Sequence, residues 1–342
     1  MCRHICPIGN ATGQERNNAR ARALSLQYVE RGAAELSECI DNVYECALCG
    51  ACTKECATGW DPIVFTKEVR REAALDGITP DYISALIEKY GETGNIYGKT
   101  DYCDCIKNEM ADLDANADTL LYIGSDARYM APCFAKNAII ALKKAGVKFT
   151  VLADEIDSGI ELDTLIGAME ETKEAMTACA DVLNKYKTVI VLNPSDMKVF
   201  VREYKEWDIE LKCELKTYTS VLADAYRNGK IQIAKLDGKV TYQDNPFLVR
   251  EVGETEEGRV ICNAAGEYVE MILSKKDTML AGSFIMAQWM DDVMKLVAKE
   301  RMANIIQSGA KTVVCASPED YAFLKDAAPE GISVIDISEL VI

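Results

Sequence analysis

KTVIVLNPSDMKVF at residues 187–200 and KTVVCASPEDYAFL at 311–324 are one pattern written twice. Each reads Lys-Thr-Val-aliphatic, then two residues, then Asn or Ser, Pro, a variable position and Asp, then an amphipathic start. The offset is 124 residues. A short β-branched run of this kind suits a strand buried in a parallel sheet. Asn193 or Ser317 then stands where a helix wants its N-cap. Pro194 or Pro318 suits the first helical position, and Asp196 or Asp320 falls near the positive end of the helix dipole. A capped strand-to-helix turn explains the pattern. An anion site at the helix N-terminus is the other reading, and the acid at N3 opposes it. The repeat divides most of the chain into two homologous α/β units, 118–228 and 235–342.

The remaining segments fit this frame. TLLYIG (119–124) and KFTVLA (148–153) read as further strands of the first unit, and 131–146 and 165–186 as amphipathic helices between strands. FIMAQWMDDVMKLV (284–297) places Met and Trp at helical spacing and reads as a core face, or as a partner surface if exposed. Residues 101–117 are acidic, weakly patterned and read as a linker. Residues 1–100 read as helices: 15–32 and 81–95 carry helical spacing, and 61–77 runs from Pro62 at a first turn to a stop at Gly77. The expected architecture is α + α/β: an N-terminal α-helical ferredoxin-like domain followed by two α/β units with parallel sheets.

Composition narrows the function. The chain has 342 residues, 27% of them charged, with a net charge of −17. Such a balance disfavours nucleic acid, whose phosphates need cationic surface, and suits docking onto a basic protein partner. The single histidine, His4, leaves no material for a His-based catalytic triad or poly-His metal site. Fourteen cysteines are many for a chain whose opening carries no apolar signal segment. No apolar run approaches the ~20 residues that span a bilayer, so no transmembrane segment is expected. Clustered thiols in that setting point to metal or redox chemistry in a reducing cytoplasm, that of an anaerobe or microaerophile.

The thiols are patterned. ECALCGACTKECATG (45–59) spaces Cys46, Cys49, Cys52 and Cys56 as C-x2-C-x2-C-x3-C. Two-residue gaps let successive thiolates point into one concave loop, the arrangement that holds a 4Fe–4S cluster. Structural zinc is the rival, although its cysteines usually come as two separated pairs. The opening CRHICP (2–7) is the tail of the same run, Cys-x3-Cys-Pro. In such runs the last cysteine serves the other cluster, so Cys6 completes the set Cys46, Cys49 and Cys52. Cys2 and Cys56 are then left as a half-site for a second cluster, recruiting Cys39, Cys103, Cys105, His4 or a partner's ligand, or they are idle. One cluster is expected and two is the alternative. Cys103 and Cys105 form C-x-C, either a metal or redox pair or two linker cysteines. Cys133, Cys179, Cys213, Cys262 and Cys315 read as small buried hydrophobes.

These runs, the intervening ERNNARARALSL and the paired α/β units resemble the iron–sulfur subunits of flavin-linked dehydrogenases. Anaerobic glycerol-3-phosphate dehydrogenase and glycolate oxidase have such subunits, and the cluster-bearing subunit of heterodisulfide reductase is similar. Members carry cysteine motifs in each α/β repeat. Here the matching positions are Ser125, Asp157-Ser158-Gly159, Asn193 and Asp196 in the first repeat. In the second they are Asn245, Leu280-Ala281-Gly282, Ser317 and Asp320. The cysteines are gone, and the resemblance implies that helix caps replace them. It also implies electron transfer through the N-terminal cluster, with the α/β body as a docking platform. The implied partner is an FAD-containing dehydrogenase acting on a small substrate such as a 2-hydroxy acid, with further iron–sulfur or electron-transfer proteins as additional partners. No phosphate-loop or dinucleotide fingerprint is present, so neither flavin nor nucleotide is expected on this chain. The alternatives are a scaffold whose cluster or zinc is structural, and a reductase using Cys103 and Cys105.

Overall fold

The computed structural model describes residues 2–342. Its first third is helical: α1 (Pro7–Thr12), α2 (Ala19–Glu30), α3 (Leu36–Tyr44), α4 (Ala51–Lys54), α5 (Pro62–Leu75), α6 (Asp81–Thr93) and α7 (Asp104–Met110). The starts follow from the local chemistry. Asn18 accepts the Ala21 amide at the head of α2, and Asp61 accepts that of Ile63 ahead of Pro62 at the head of α5. The acidic segment thus carries a helix of its own. Its Ile106 is fully buried and fixes α7 in the core shared with α9.

Two parallel sheets follow. The first is β1 (Thr119–Tyr122), β2 (Thr188–Val191) and β3 (Glu214–Thr217), in that spatial order. Between β1 and β2 run α8 (Ser125–Tyr129), α9 (Pro132–Lys144), α10 (Ile160–Ile166) and α11 (Glu170–Leu183). After β2 come α12 (Pro194–Lys198), a π-helical turn Val199–Glu203 and α13 (Tyr204–Glu206), and α14 (Tyr218–Arg227) follows β3. The second sheet has β4 (Lys239–Gln243), β5 (Glu267–Tyr268), β6 (Thr312–Cys315) and β7 (Ser333–Asp336), ordered β5-β4-β6-β7. Its helices are the π-helical turn Leu248–Val252, α15 (Glu257–Ala265), α16 (Phe284–Gln307) and α17 (Pro318–Ala327). The repeated pattern supplies the strand between β1 and β3 in one sheet and between β4 and β7 in the other. Val189, Ile190, Val191, Val313 and Val314 are all buried, as the β-branched runs require.

Several local expectations are corrected. KFTVLA makes only a bridge, Leu120 to Thr150, and no strand. The helix expected over 165–186 is interrupted at Gly167, whose φ of 63° ends α10; an added Cβ there would lie 2.4 Å from the Lys67 carbonyl oxygen. Ser317 caps α17 by accepting the Asp320 amide, but Asn193 makes no cap bond: its Nδ2 donates to Asp126, and its Oδ1 has no hydrogen-bond partner among the described residues. Cys133 is exposed, whereas Cys179, Cys213, Cys262 and Cys315 are buried as expected. The Met- and Trp-rich stretch is a core face: Phe284, Met286, Met294 and Val297 are buried.

The helical segment is fused to the sheets. Val43 and Tyr44 of α3 share one core with Leu120, Val189 and Phe200. The Tyr44 hydroxyl donates to the Leu165 carbonyl at 2.8 Å, and the Trp289 indole N–H donates to the Tyr44 carbonyl at 3.2 Å.

Candidate metal centre

The loop after α3 turns sharply. Leu48 has φ 50° and Gly50 has φ 76°. Glycine takes the left-handed region freely, while a leucine there costs about 1–2 kcal/mol. The two turns wrap the backbone around the thiols, and amides of the loop point at sulfur: Leu48 toward Cys46 and Ala51 toward Cys49. Near the N-terminus, Cys6 is the N-cap of α1. Pro7 occupies the first helical position, and the Gly9 amide donates to Cys6 Sγ at 3.5 Å.

Cys6, Cys46, Cys49 and Cys52 line one cavity, closed by Ala19, Arg22, Pro62 and Ile63. The two cysteine runs, 40 positions apart in sequence, therefore meet at one cavity. Among the described residues no three His, Cys, Asp or Glu side chains are placed to hold a single metal ion.

Three buried or half-buried arginines hold the loop backbone. Arg22 of α2 donates to the carbonyls of Asn17 at 3.0 Å and Glu45 at 3.2 Å. Arg70 of α5 donates to Cys46 at 2.7 Å, Val43 at 3.1 Å and Thr164 at 2.5 Å, and lies over the Tyr44 ring. Arg250, from the second repeat, reaches the Cys49 carbonyl at 2.5 Å and also binds the Thr278 carbonyl. Their charge acts on the thiols. Burial pushes Cys46 up, but Arg22 and Arg70, with hydrogen bonds from the Leu48 amide and Thr66, together hold that thiol below its ordinary value. Burial dominates at the others: Cys6 is raised to about 11, and Cys49 and Cys52 are raised. The site thus presents a set of thiols in a cationic frame, suited to a metal centre whose thiolate-ligated whole carries net negative charge.

Cys2 and Cys56 are not among the residues lining this cavity. Cys2 lines a separate groove with Trp60 and Phe65, and the Cys56 sulfur contacts the Thr58 hydroxyl at 3.2 Å. His4 lines a third surface recess with Asn10 and Asn18.

Two of the α/β positions that the resemblance matches to cysteines, Asn193 and Asn245, donate to buried aspartates. In the first repeat Asn193 Nδ2 donates to Asp126 Oδ2 at 3.1 Å; in the second, Asn245 Nδ2 donates to Asp320 Oδ2 at 3.0 Å. The partners are exchanged: the asparagine follows the second strand in one repeat and the first strand in the other. Ser158 donates to Asp196 at 2.5 Å beside the first pair. Replacement by helix caps, expected from sequence, holds at Ser317 and fails at Asn193. The glycines beside these positions have no room for a side chain. A Cβ on Gly124 would lie 2.1 Å from Asp196 Oδ2, and one on Gly282 would lie 2.2 Å from the Phe323 ring.

Sequence patterning does not mark the arginine frame. Arg22 lies in an Ala-Arg-Ala-Arg-Ala helix that looks solvated in sequence, and nothing local marks Arg70 or Arg250 as facing thiols.

No family model matches the chain. Curated proteins do. It is 27% identical over 332 residues to a subunit of the dihydromethanophenazine:CoB--CoM heterodisulfide reductase of Methanosarcina barkeri, covering 91% of this chain and 80% of that protein. The chain is similar to a heterodisulfide reductase iron–sulfur subunit. The corresponding Methanosarcina mazei protein aligns at 26% identity, covering 90% of this chain and 79% of its own length. An EtfAB:quinone oxidoreductase of Syntrophomonas wolfei is 22% identical across 88% of this chain, but only 46% of that protein is covered. The similarity to the heterodisulfide reductase subunits extends over about nine-tenths of this chain. Among the described residues no helix is long and apolar enough to cross a membrane.

Proposed function

We propose that this chain is an electron-transfer subunit of an oxidoreductase complex, holding one 4Fe–4S cluster on Cys6, Cys46, Cys49 and Cys52. The carrying observation is the meeting of both cysteine runs at one cavity framed by Arg22, Arg70 and Arg250. Names of the similar proteins agree with a redox subunit. When bound, the cluster supplies one-electron transfer at a potential set by charge, burial and hydrogen bonds to sulfur.

The chain's own residues do the rest. The arginines offset thiolate charge, which raises the potential relative to a neutral frame. The Leu48, Ala51 and Gly9 amides donate to sulfur and stabilise the thiolate forms. Cys6 must release its proton, now shared with the Asn17 carbonyl at 3.2 Å, to become a ligand. The α/β body, with Asn193 and Asn245 standing at positions matched to the family's thiols, serves as the platform for an FAD-containing dehydrogenase or another electron carrier.

The test is anaerobic purification with iron and acid-labile sulfide assays and EPR after dithionite reduction. About four of each per chain is expected, falling to near zero on Cys46→Ser or Cys49→Ser. Zinc without sulfide would refute the electron-transfer reading and leave a metal-stapled scaffold.

A further inference from the structure

Cys103 and Cys105 lie outside the cavity. They flank the first turn of α7, and their sulfurs share a hydrogen bond of 2.7 Å. The Cys105 amide also donates to Cys103 Sγ, at 3.3 Å. Cys103 is exposed and Cys105 is partly buried. The turn carrying them is anchored: Ile106 is buried in the core, and Lys143 of α9 binds both Glu109 at 3.2 Å and Asp112 at 2.6 Å. An accessible sulfur thus sits against a half-sheltered one on a fixed support.

We propose that Cys103 and Cys105 form a peroxide-sensing dithiol, oxidised reversibly to an intramolecular disulfide. The two thiols have different tasks. Hydrogen bonds from the Cys105 side chain and amide lower the Cys103 thiol, favouring the nucleophilic thiolate. Burial, and then the Cys103 neighbour, raise Cys105 to about 11, keeping it a protonated resolving thiol. Cys103 thiolate attacks one oxygen of a hydroperoxide, ROOH. The O–O bond breaks, ROH leaves with a proton from solvent, and Cys103 becomes a sulfenic acid. Cys105 gives up its proton and attacks the Cys103 sulfur. An S–S bond forms and water departs. Overall the dithiol loses two electrons and two protons, and ROOH becomes ROH and water. The four cavity thiols are shielded by comparison. Cys133, exposed on α9, has no hydrogen-bonded thiol of its own among the described residues.

The test treats the full chain, purified anaerobically, with one equivalent of hydrogen peroxide, then blocks free thiols and maps the peptides. A Cys103–Cys105 disulfide, reversed by dithiothreitol, is expected as the main product. Cys105→Ser should accumulate a dimedone-reactive sulfenic acid on Cys103. Cys103→Ser should slow oxidation of this segment by roughly tenfold or more. The proposal is overturned if Cys103 and Cys105 stay alkylatable while Cys2, Cys56 or Cys133 oxidise first, or if Cys105 pairs with Cys133. The wild-type peptide map decides this whether or not the variants fold.

Discussion

Replacing Arg70 with methionine tests the arginine frame most directly. Arg70 is fully buried, and its guanidinium satisfies three carbonyls, those of Val43, Cys46 and Thr164. Methionine keeps most of the apolar stem but removes every donor. A hydrogen bond to a charged donor contributes about 1.5–3 kcal/mol, and a buried carbonyl left without its donor costs about 1–3 kcal/mol. Allowing for relaxation and for the desolvation that a neutral side chain avoids, Arg70→Met should destabilise the chain by about 4 kcal/mol. That is a large part of the ~5–15 kcal/mol that holds a folded domain. With a urea m-value of about 3 kcal/mol/M, the midpoint should fall by roughly 1.3 M. Arg70→Lys keeps the charge but can reach fewer carbonyls, so it should lie between wild type and methionine. Urea unfolding followed by circular dichroism, with iron measured on the same samples, reads both effects. If Arg70→Met unfolds within about 1 kcal/mol of wild type and retains full iron, the reasoning is wrong: the frame neither holds the loop nor supports its thiolates.

Other expectations follow from single positions. Gly124→Ala places a Cβ against Asp196 at a φ of 83° and should cost roughly 3 kcal/mol, whereas Gly146→Ala, at a φ of 67° with nothing within 4 Å, should cost about 1 kcal/mol; equal losses by thermal melting would contradict the packing argument. Burial raises Asp320 to about 7. Its unfolded value is near 3.9, so the native state holds a proton that the unfolded chain releases. That stabilisation is full below about pH 4 and is lost as pH rises through about 7, at up to about 1.4 kcal/mol per pH unit. Asp320→Asn should therefore flatten the fall in stability between about pH 4 and 7, and an unchanged slope in urea titrations would refute the assignment. Cys2→Ser and Cys56→Ser should leave iron at about four per chain; halving of a wild-type value near eight would mean that two clusters are bound.

The alternation of strand and helix was legible because buried parallel strands must be β-branched and the turns after them favour Pro and a cap. The spacing of the two cysteine runs also pointed to Cys6 as the neighbour of Cys46, Cys49 and Cys52, and the four line one cavity. The failures share a cause. KFTVLA has the composition of a strand, but its ladder is a single bridge, and composition does not reveal a missing neighbour. Asn193 has the propensity of a cap because propensity is local, and its side chain is claimed by Asp126, 67 residues away. Arg22, Arg70 and Arg250 are invisible in sequence for the same reason: a cation's role depends on which backbone it meets, and here it meets distant carbonyls.

The Arg250 contact bears on the order of maturation. The cysteine loop receives one of its clamps from a residue 201 positions further along the chain. At ~5–20 residues per second, that residue is made on the order of ten to forty seconds after Cys49. For that interval the nascent thiols stand without their C-terminal clamp. Any cluster held by this loop would meet its finished frame only after Arg250 has been made, and a fragment ending before Arg250 would offer its cysteines in an incomplete frame.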